Sequence, residues 1–293
     1  MALNEASLFL LLVISVVFLT SGHAADLNGL SADAIMEQAV ARVESQYQSY
    51  KEVEFESESI TRNQKFDGKG AITETEILRA RQYPLHGAVF EELLEVNGRP
   101  LDSKEREAEE KKKRNFIQEV EKRRDRGDYL QPEKDRAIRF DADFVSRYVY
   151  ELVAAESIRA HMCWKIAFKP KEGALPVRRT MDHALNQLTG TLWVSQQDDG
   201  LARVEFAMRK RFKYWGGVVA MIRNTDGIVD YERVEPGVWL PLNFELKLDI
   251  RIMLFKHIRQ IISKQWYDYR RVHPTAAGAA WPPHSMVASA LGR

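Results

Sequence analysis

Two stretches of alternation constrain this chain more than anything else in it. In the first, Val204, Phe206, Met208, Phe212 and Tyr214 interleave with Arg203, Glu205, Arg209, Arg211 and Lys213. In the second, Phe244, Leu246, Leu248, Ile250, Ile252 and Leu254 recur at every other position. A period of two belongs to strands, because successive β side chains point to opposite faces. Each stretch therefore presents one apolar and one charged face, the mark of an antiparallel sheet wetted on one side. Such a sheet must cover its apolar side with helices, a lid or a hydrophobic guest.

The rest of the chain reads as more of the same sheet with a few helices. Ser31 is a good N-cap, and Ile35, Ala39, Val40, Val43 and Tyr47 form one helical stripe over Ala32 to Tyr47, so this helix is expected to dock on the sheet. Val53 to Ser59 and Ile72 to Tyr83 flank the turn Asp67-Gly68-Lys69-Gly70, a hairpin signature, and Ala88 to Val96 runs into the turn Asn97-Gly98. Asp102 to Arg126 is nearly all charge, with Asp102 and Glu105 at capping-box spacing and opposite charges four apart in Glu107/Lys111, Glu110/Arg114 and Glu119/Arg123. Its apolar stripe is only Phe116, Ile117 and Val120, which predicts a helix that touches the body near its end and otherwise projects into water. Tyr148 to Ala155 and Cys163 to Lys169 read as strands, Val177 to Leu188 as a second covering helix, and Asp198-Asp199-Gly200 as a turn into the first alternating stretch. Val218 to Ile222, Ile228 to Val234, Val238 to Leu254 and Ile258 to Arg271 complete the meander, and residues 274–293, rich in Ala, Gly and Pro, read as a disordered tail.

The first 24 residues differ in kind. Leu8 to Leu19 is apolar apart from Ser15 and ends at Gly22-His23-Ala24, the pattern of a cleavable signal peptide cut after Ala24. Twelve apolar residues fall short of the roughly 20 needed to span a bilayer. The expected location is the periplasm. Cys163 is the only cysteine, which excludes an internal disulfide and any lipid anchor at the cleavage site, and its apolar neighbours predict a packed, buried thiol. Charge is unevenly spread: residues 26–100 hold 8 basic and 14 acidic side chains, residues 201–273 hold 14 basic and 8 acidic. Strand faces that pair across the sheet account for this, as does a field that orients a partner.

No catalytic constellation is legible: the chain has no nucleophile elbow, Walker loop, dinucleotide fingerprint or paired-histidine zinc motif. Asp182-His183 lacks a serine to complete a triad, and Asp141 with Asp143 supplies too few oxygens for a cation. The expectation is therefore a protein that is not an enzyme and uses no metal or cofactor. Arg209-Lys210-Arg211-Phe212-Lys213-Tyr214-Trp215 mixes basic and aromatic residues, but on an exported strand anionic lipid headgroups suit it better than nucleic acid.

Gly190-Thr191-Leu192-Trp193-Val194, Gly237-Val238-Trp239-Leu240-Pro241 before a long alternating strand, and Leu93-Leu94-Glu95-Val96-Asn97-Gly98-Arg99-Pro100-Leu101 together resemble bacterial envelope proteins of the outer-membrane lipoprotein-sorting group, similar to the LolA/LolB/RseB superfamily. The resemblance implies an α+β, mainly antiparallel half-open β-barrel of about eleven strands, its concave face covered by helices. It implies one domain over residues 25–273, with the charged helical insertion 102–126 as a departure. A lipid acyl chain or lipoprotein is the implied ligand, with peripheral membrane contact, in a cleft lined by Trp193, Val204, Phe206, Met208, Phe244, Leu246, Leu248 and Ile250. The alternative it allows is an envelope stress sensor or scaffold that recruits a protein partner through the charged helix.

Overall fold

The computed structural model describes residues 29–48, 54–126, 140–178, 182–208, 212–214, 220–252 and 256–272. The leader and the tail lie outside the described residues. Helix α1 (Ala32–Gln48) starts where Ser31 Oγ accepts the Ala34 N–H at 3.1 Å, an N-cap that satisfies one of the free amides of the first turn. Then follow β1 (Phe55–Phe66), β2 (Ile72–Leu85), β3 (Ala88–Val96), β4 (Arg99–Pro100), α2 (Ser103–Asp125), α3 (Ala142–Val145), β5 (Tyr148–Ile158) and β6 (His161–Pro170). The remaining elements are α4 (Asp182–Leu185), β7 (Leu188–Ser195), β8 (Leu201–Met208), β9 (Phe212–Tyr214), β10 (Ala220–Glu235), β11 (Val238–Ile252) and β12 (Lys256–Arg271).

The strands form one antiparallel sheet in the order β4-β3-β2-β1-β12-β11-β10-β8-β7-β6-β5, with β9 beside the start of β10. The sheet does not close, so the half-open barrel expected of the sequence is met with β4 and β5 at its two ends. Most neighbours are joined by hairpins, and their turn residues explain the register. Asn97 and Gly98 both take positive φ, 52° and 74°, as a two-residue type I′ turn requires, while Pro236-Gly237 turns β10 into β11 with Gly237 at 73°. Two links depart from the meander. β1 pairs with β12, bringing the first and last strands together, and the connection from β4 to β5 leads from one edge of the sheet to the other.

On one face, here called inner, α1 packs Ile35, Met36 and Ala39 against Tyr148, Ile166, Phe168, Leu192, Val194 and Met208 of β5 to β8. The predicted stripe is thus met at Ile35, Ala39 and Val40, with Met36 added and Val43 half-buried. Gln46 pins the far end of α1 to β11, donating to the Trp239 carbonyl and accepting from the Trp239 N–H, both at 2.9 Å. The expected second covering helix is a single turn, α4, which contributes buried Leu185; Leu188 already belongs to β7.

The charged helix departs most from expectation. Asp102 caps it and Glu105 completes the capping box, as its spacing predicted, yet α2 does not project into water. It lies along β3 for nearly its whole length. Glu105 takes Arg99 in two bonds of 2.7 Å, Glu109 accepts the Leu93 N–H at 3.0 Å, and Lys113 pairs with Glu92 at 3.5 Å. Phe116 stacks at 5.0 Å on Phe90, and Arg124 donates to the His86 carbonyl at 2.9 Å. The lengths match: nine strand residues at about 3.4 Å and nineteen helical steps at 1.5 Å both span roughly 30 Å. A helix with no fully buried residue thereby covers a sheet edge whose N–H groups are otherwise open to pairing.

Candidate ligand-binding face

The inner face divides into two zones. Over β5 to β8, α1, α3 and α4 seal it, and Tyr148, Ile166, Leu192 and Met208 are all at most 1% exposed. Over β10 to β12, the apolar residues of the inner face are only half-buried. Register sets Val229, Phe244 and Lys264 in one cross-strand row, Gly227, Leu246 and Ile262 in the next, and Thr225, Leu248 and Gln260 in a third. Ile250 and Ile258 follow. Val229, Phe244, Leu246, Leu248, Ile250, Ile258 and Ile262 thus make a contiguous surface of intermediate exposure. Val204 and Phe206 of β8 join it to the sealed zone, packing against the core.

Polar groups bound this surface toward β1 to β3. Lys264, beside Phe244, pairs with Glu91 and sits 4.9 Å over the Trp266 ring. Gln82 donates to the same carboxylate at 2.6 Å and accepts from Trp266 Nε1 at 3.1 Å. Farther along β1, Asn63 bonds Glu76 at 3.0 Å and Lys65 bonds Glu74 at 2.9 Å, so the face turns polar beyond β12.

Two glycines shape its floor. A Cβ placed on Gly227 would stand 2.1 Å from the Phe206 ring, and one on Gly190 would stand 1.9 Å from the Glu205 carbonyl and 2.7 Å from the Phe168 ring. Each ring therefore rests against backbone. On the opposite face of the same strands lies an open depression of about 400 Å³ lined by Thr191, Glu205, Asp226, Ile228, Glu245 and Lys247 among others, a charged hollow in which Lys247 pairs with Glu245 at 3.0 Å.

Of the residues the sequence singled out, Phe244, Leu246, Leu248, Ile250, Val204 and Phe206 come together on the inner face. Met208 is sealed in the core under α1. Trp193 lies on the outer face, where its row partners are Lys165 and Arg203. Its Nε1 donates to Glu156 at 2.5 Å, those two cations lie over its ring at 5.3 and 5.8 Å, and Cys163, Ala202 and Trp239 pack around it. The Trp193 bond heads the interactions that hold the Glu156 carboxyl below its usual range. Cys163 is fully buried, and burial pushes its thiol up to about 11.

The acidic motifs are structural. Asp141 caps α3 by accepting the Phe144 N–H at 2.9 Å. Asp143 accepts from Arg147 at 2.8 Å, and the same guanidinium, 1% exposed, reaches Asn186 Oδ1 at 2.7 Å and the Pro176 carbonyl at 3.0 Å, with buried Asp182 at 3.4 Å. His183 is exposed on α4. Among the described residues, no group of three or more His, Cys, Asp or Glu is placed to hold a metal ion, and no helix is long and apolar enough to cross a membrane.

No family model matches the chain, and no curated protein matches it at a significant level. Several solved structures are similar. A DUF1329 family protein from Desulfovibrio piger is 12% identical, covering 87% of this chain and 98% of its own, with a TM-score of 0.33. A LolA superfamily protein from Nitrosomonas europaea is 12% identical, covering 85% and 96%, with a TM-score of 0.29. A putative outer membrane lipoprotein-sorting protein domain from Vibrio parahaemolyticus is 10% identical, covering 90% and 100%, with a TM-score of 0.34. Two of the three bear the names of the group that the sequence resembles. Likeness this slight does not bear on function, and the fold stands on the strand order of the sheet itself.

Proposed function

We propose that this protein is an exported cell-envelope binding protein that holds a lipid acyl chain, free or as part of a lipoprotein, on the inner face of β10 to β12 without covalent chemistry. The observation that supports it is the unsealed half of that face. Phe244, Leu246, Leu248 and Ile250 are backed by Val229, Ile258 and Ile262, and a patch of apolar side chains left only partly buried is a surface on which an apolar ligand gains by leaving water. At about 25 cal/mol per Å², each 100 Å² of apolar surface covered contributes about 2.5 kcal/mol. The leader supports export, and the periplasmic form then begins at Ala25 or within a residue or two, as amino-terminal sequencing would read.

Leu248 provides the test. It is half-buried between Thr225 and Gln260, so an arginine there can reach water. Leu248→Arg is expected to fold and to lose the lipids that co-purify with the native protein, read by mass spectrometry. If the wild type carries no lipid, or the variant keeps it, the reading fails. If Leu248→Arg unfolds, the face is a filled core and not a cleft.

A further inference from the structure

Beside Lys264, where the apolar surface of β10 to β12 meets polar ground, stands a ring of side chains that reaches across to β3. The sheet order β3-β2-β1-β12 puts two strands between Glu91 and Lys264, yet the two pair, so the sheet is curved enough here for their bond to arch over β1 and β2. Gln82 of β2 and Trp266 of β12 complete the ring. Gln82 donates to the Glu91 carboxylate at 2.6 Å and accepts from Trp266 Nε1 at 3.1 Å, and the Lys264 ammonium lies 4.9 Å over the Trp266 ring.

Register places Ser59 and Ala80 inside that ring. They share one row with Trp266, between the row of Lys264 and Thr61 and the row of Ser57 and Gln82. Both are buried, at 0% and 5% exposure. Of the buried side-chain polar atoms without a hydrogen-bond partner among the described residues, Ser59 Oγ is the one hydroxyl; the others are guanidinium nitrogens. A hydroxyl taken from water and left unpaired destabilises the fold. The ring does not relieve it, because Lys264 and Gln82 take the Glu91 carboxylate and Trp266 takes the Gln82 oxygen.

We propose that Ser59 and Lys264 form the subsite for the polar end of the guest, and that this end is an uncharged acyl carbonyl, an ester or an amide. The subsite rests on the reading that this face holds an acyl chain. Two observations choose the carbonyl. Ser59 has an unshared O–H, and a carbonyl oxygen accepts it without bringing charge into a buried place. A carboxylate or phosphate would instead meet Glu91, whose charge already engages the one cation of the ring. The Lys264–Glu91 bond parts as the carbonyl enters, and the flexible stem of Lys264 lets its ammonium cap the same oxygen. Glu91 is 41% exposed, which leaves the β3 side of the ring open to water for the rest of a headgroup. From the row of Phe244 and Lys264 to that of Ile250 and Ile258 the strands run about 20 Å, the length of an extended chain of roughly sixteen carbons.

The test compares monopalmitoylglycerol with hexadecylglycerol, its ether analogue, which lacks only the carbonyl oxygen. Equilibrium binding of the radiolabelled lipids to the full mature chain is measured below their micellar concentrations. The wild type should bind the ester about tenfold more tightly, the worth of one hydrogen bond to a buried donor that is otherwise unpaired. Ser59→Ala should bring the ester down to the ether and leave the ether within about twofold. Its melting temperature should stay within about 2 °C of wild type, since a hydrogen replaces a hydroxyl that had no partner. Palmitate should bind the wild type about tenfold more weakly than the ester, and should gain in Glu91→Gln, where the ammonium is released. Ester and ether bound alike, a preference that survives Ser59→Ala, or palmitate bound more tightly than the ester overturns the subsite and leaves the acyl reading in place. Binding of none of the three lipids refutes the acyl reading itself, and the subsite with it. A Ser59→Ala variant that melts well below wild type would mean that a buried water partners the hydroxyl, which also overturns the subsite.

Discussion

Replacing residues 104–124 by a short flexible linker removes α2 and tests whether it is part of the fold or an ornament on it. Phe90 is 2% exposed, and its cover comes from Tyr83 at 5.8 Å, Phe116 at 5.0 Å and the ammonium of Lys112 at 5.2 Å, the last two from α2. A phenylalanine buries about 200 Å², so removal of the helix bares roughly 100 Å² of Phe90, which at about 25 cal/mol per Å² amounts to about 2.5 kcal/mol. The ion pairs add little, being exposed. The burial that α2 itself makes is offset by the entropy of ordering it. For a chain of this size each kcal/mol moves the melting temperature by about 2–4 °C, so the expected drop is about 5–10 °C with a cooperative transition retained. Calorimetry reads it. The opened β3 edge should also raise self-association, which sedimentation velocity follows. A drop of less than about 2 °C would mean that Phe90 is covered from elsewhere, and loss of all cooperative unfolding would mean that α2 is core; either refutes the reasoning.

Three further outcomes follow from the buried and paired groups. Arg147→Met should cost about 3–5 kcal/mol, because it removes the buried cation beside Asp182, 0% exposed, a carboxylate that also accepts the Arg178 N–H at 2.8 Å; denaturant unfolding measures it, and a cost under 1 kcal/mol would mean that the other partners of Asp182 suffice without the guanidinium. Cys163 should resist iodoacetamide at pH 8 in the native protein and react once unfolded, since burial keeps the thiol protonated until about pH 11; rapid native alkylation would contradict this placement. The bonds from Arg99 and the Asp102 N–H hold the Glu105 carboxyl down to about 2. A depressed carboxyl contributes stability that is present above its ordinary value of about 4.5 and is lost as pH falls toward 2. Melting should therefore fall more steeply between pH 4.5 and 2 in the wild type than in Glu105→Gln, and parallel curves would count against the pairing.

Sequence alternation carried the fold because it is a direct imprint of the pleat. From Phe244 to Ile250 every second residue is aliphatic or aromatic and the residues between are Glu245, Lys247 and Asp249, so the face of each side chain is legible without a structure. Leu192-Trp193-Val194 is different: all three are apolar, parity gives no sign of which points inward, and Trp193 turned out to lie under two cations on the outer face. The docking of α2 was equally hidden. Its contacts to β3 are a carboxylate on a backbone N–H, ammonium groups over aromatic rings and one stacked Phe116, none of which leaves a 3.6-residue apolar period. Nor does any local signal say that β1 and β12, two hundred residues apart, pair along nearly their full length. That pairing depends on the curvature of the whole sheet.

At Gly227 the contour of the apolar face is set by what is missing. The Phe206 ring occupies the place where a side chain would begin, so the floor between β8 and β11 is one aromatic thickness over bare backbone, lower than two ordinary side chains standing abreast would leave it. A single methyl at this position would displace a whole ring, a change in relief several times its own volume. The relief of this face is in this sense drawn by its glycine: the residue that contributes no surface decides how deep the Phe206 ring can sink, and the ring itself, free of any polar atom, keeps that stretch of the face apolar.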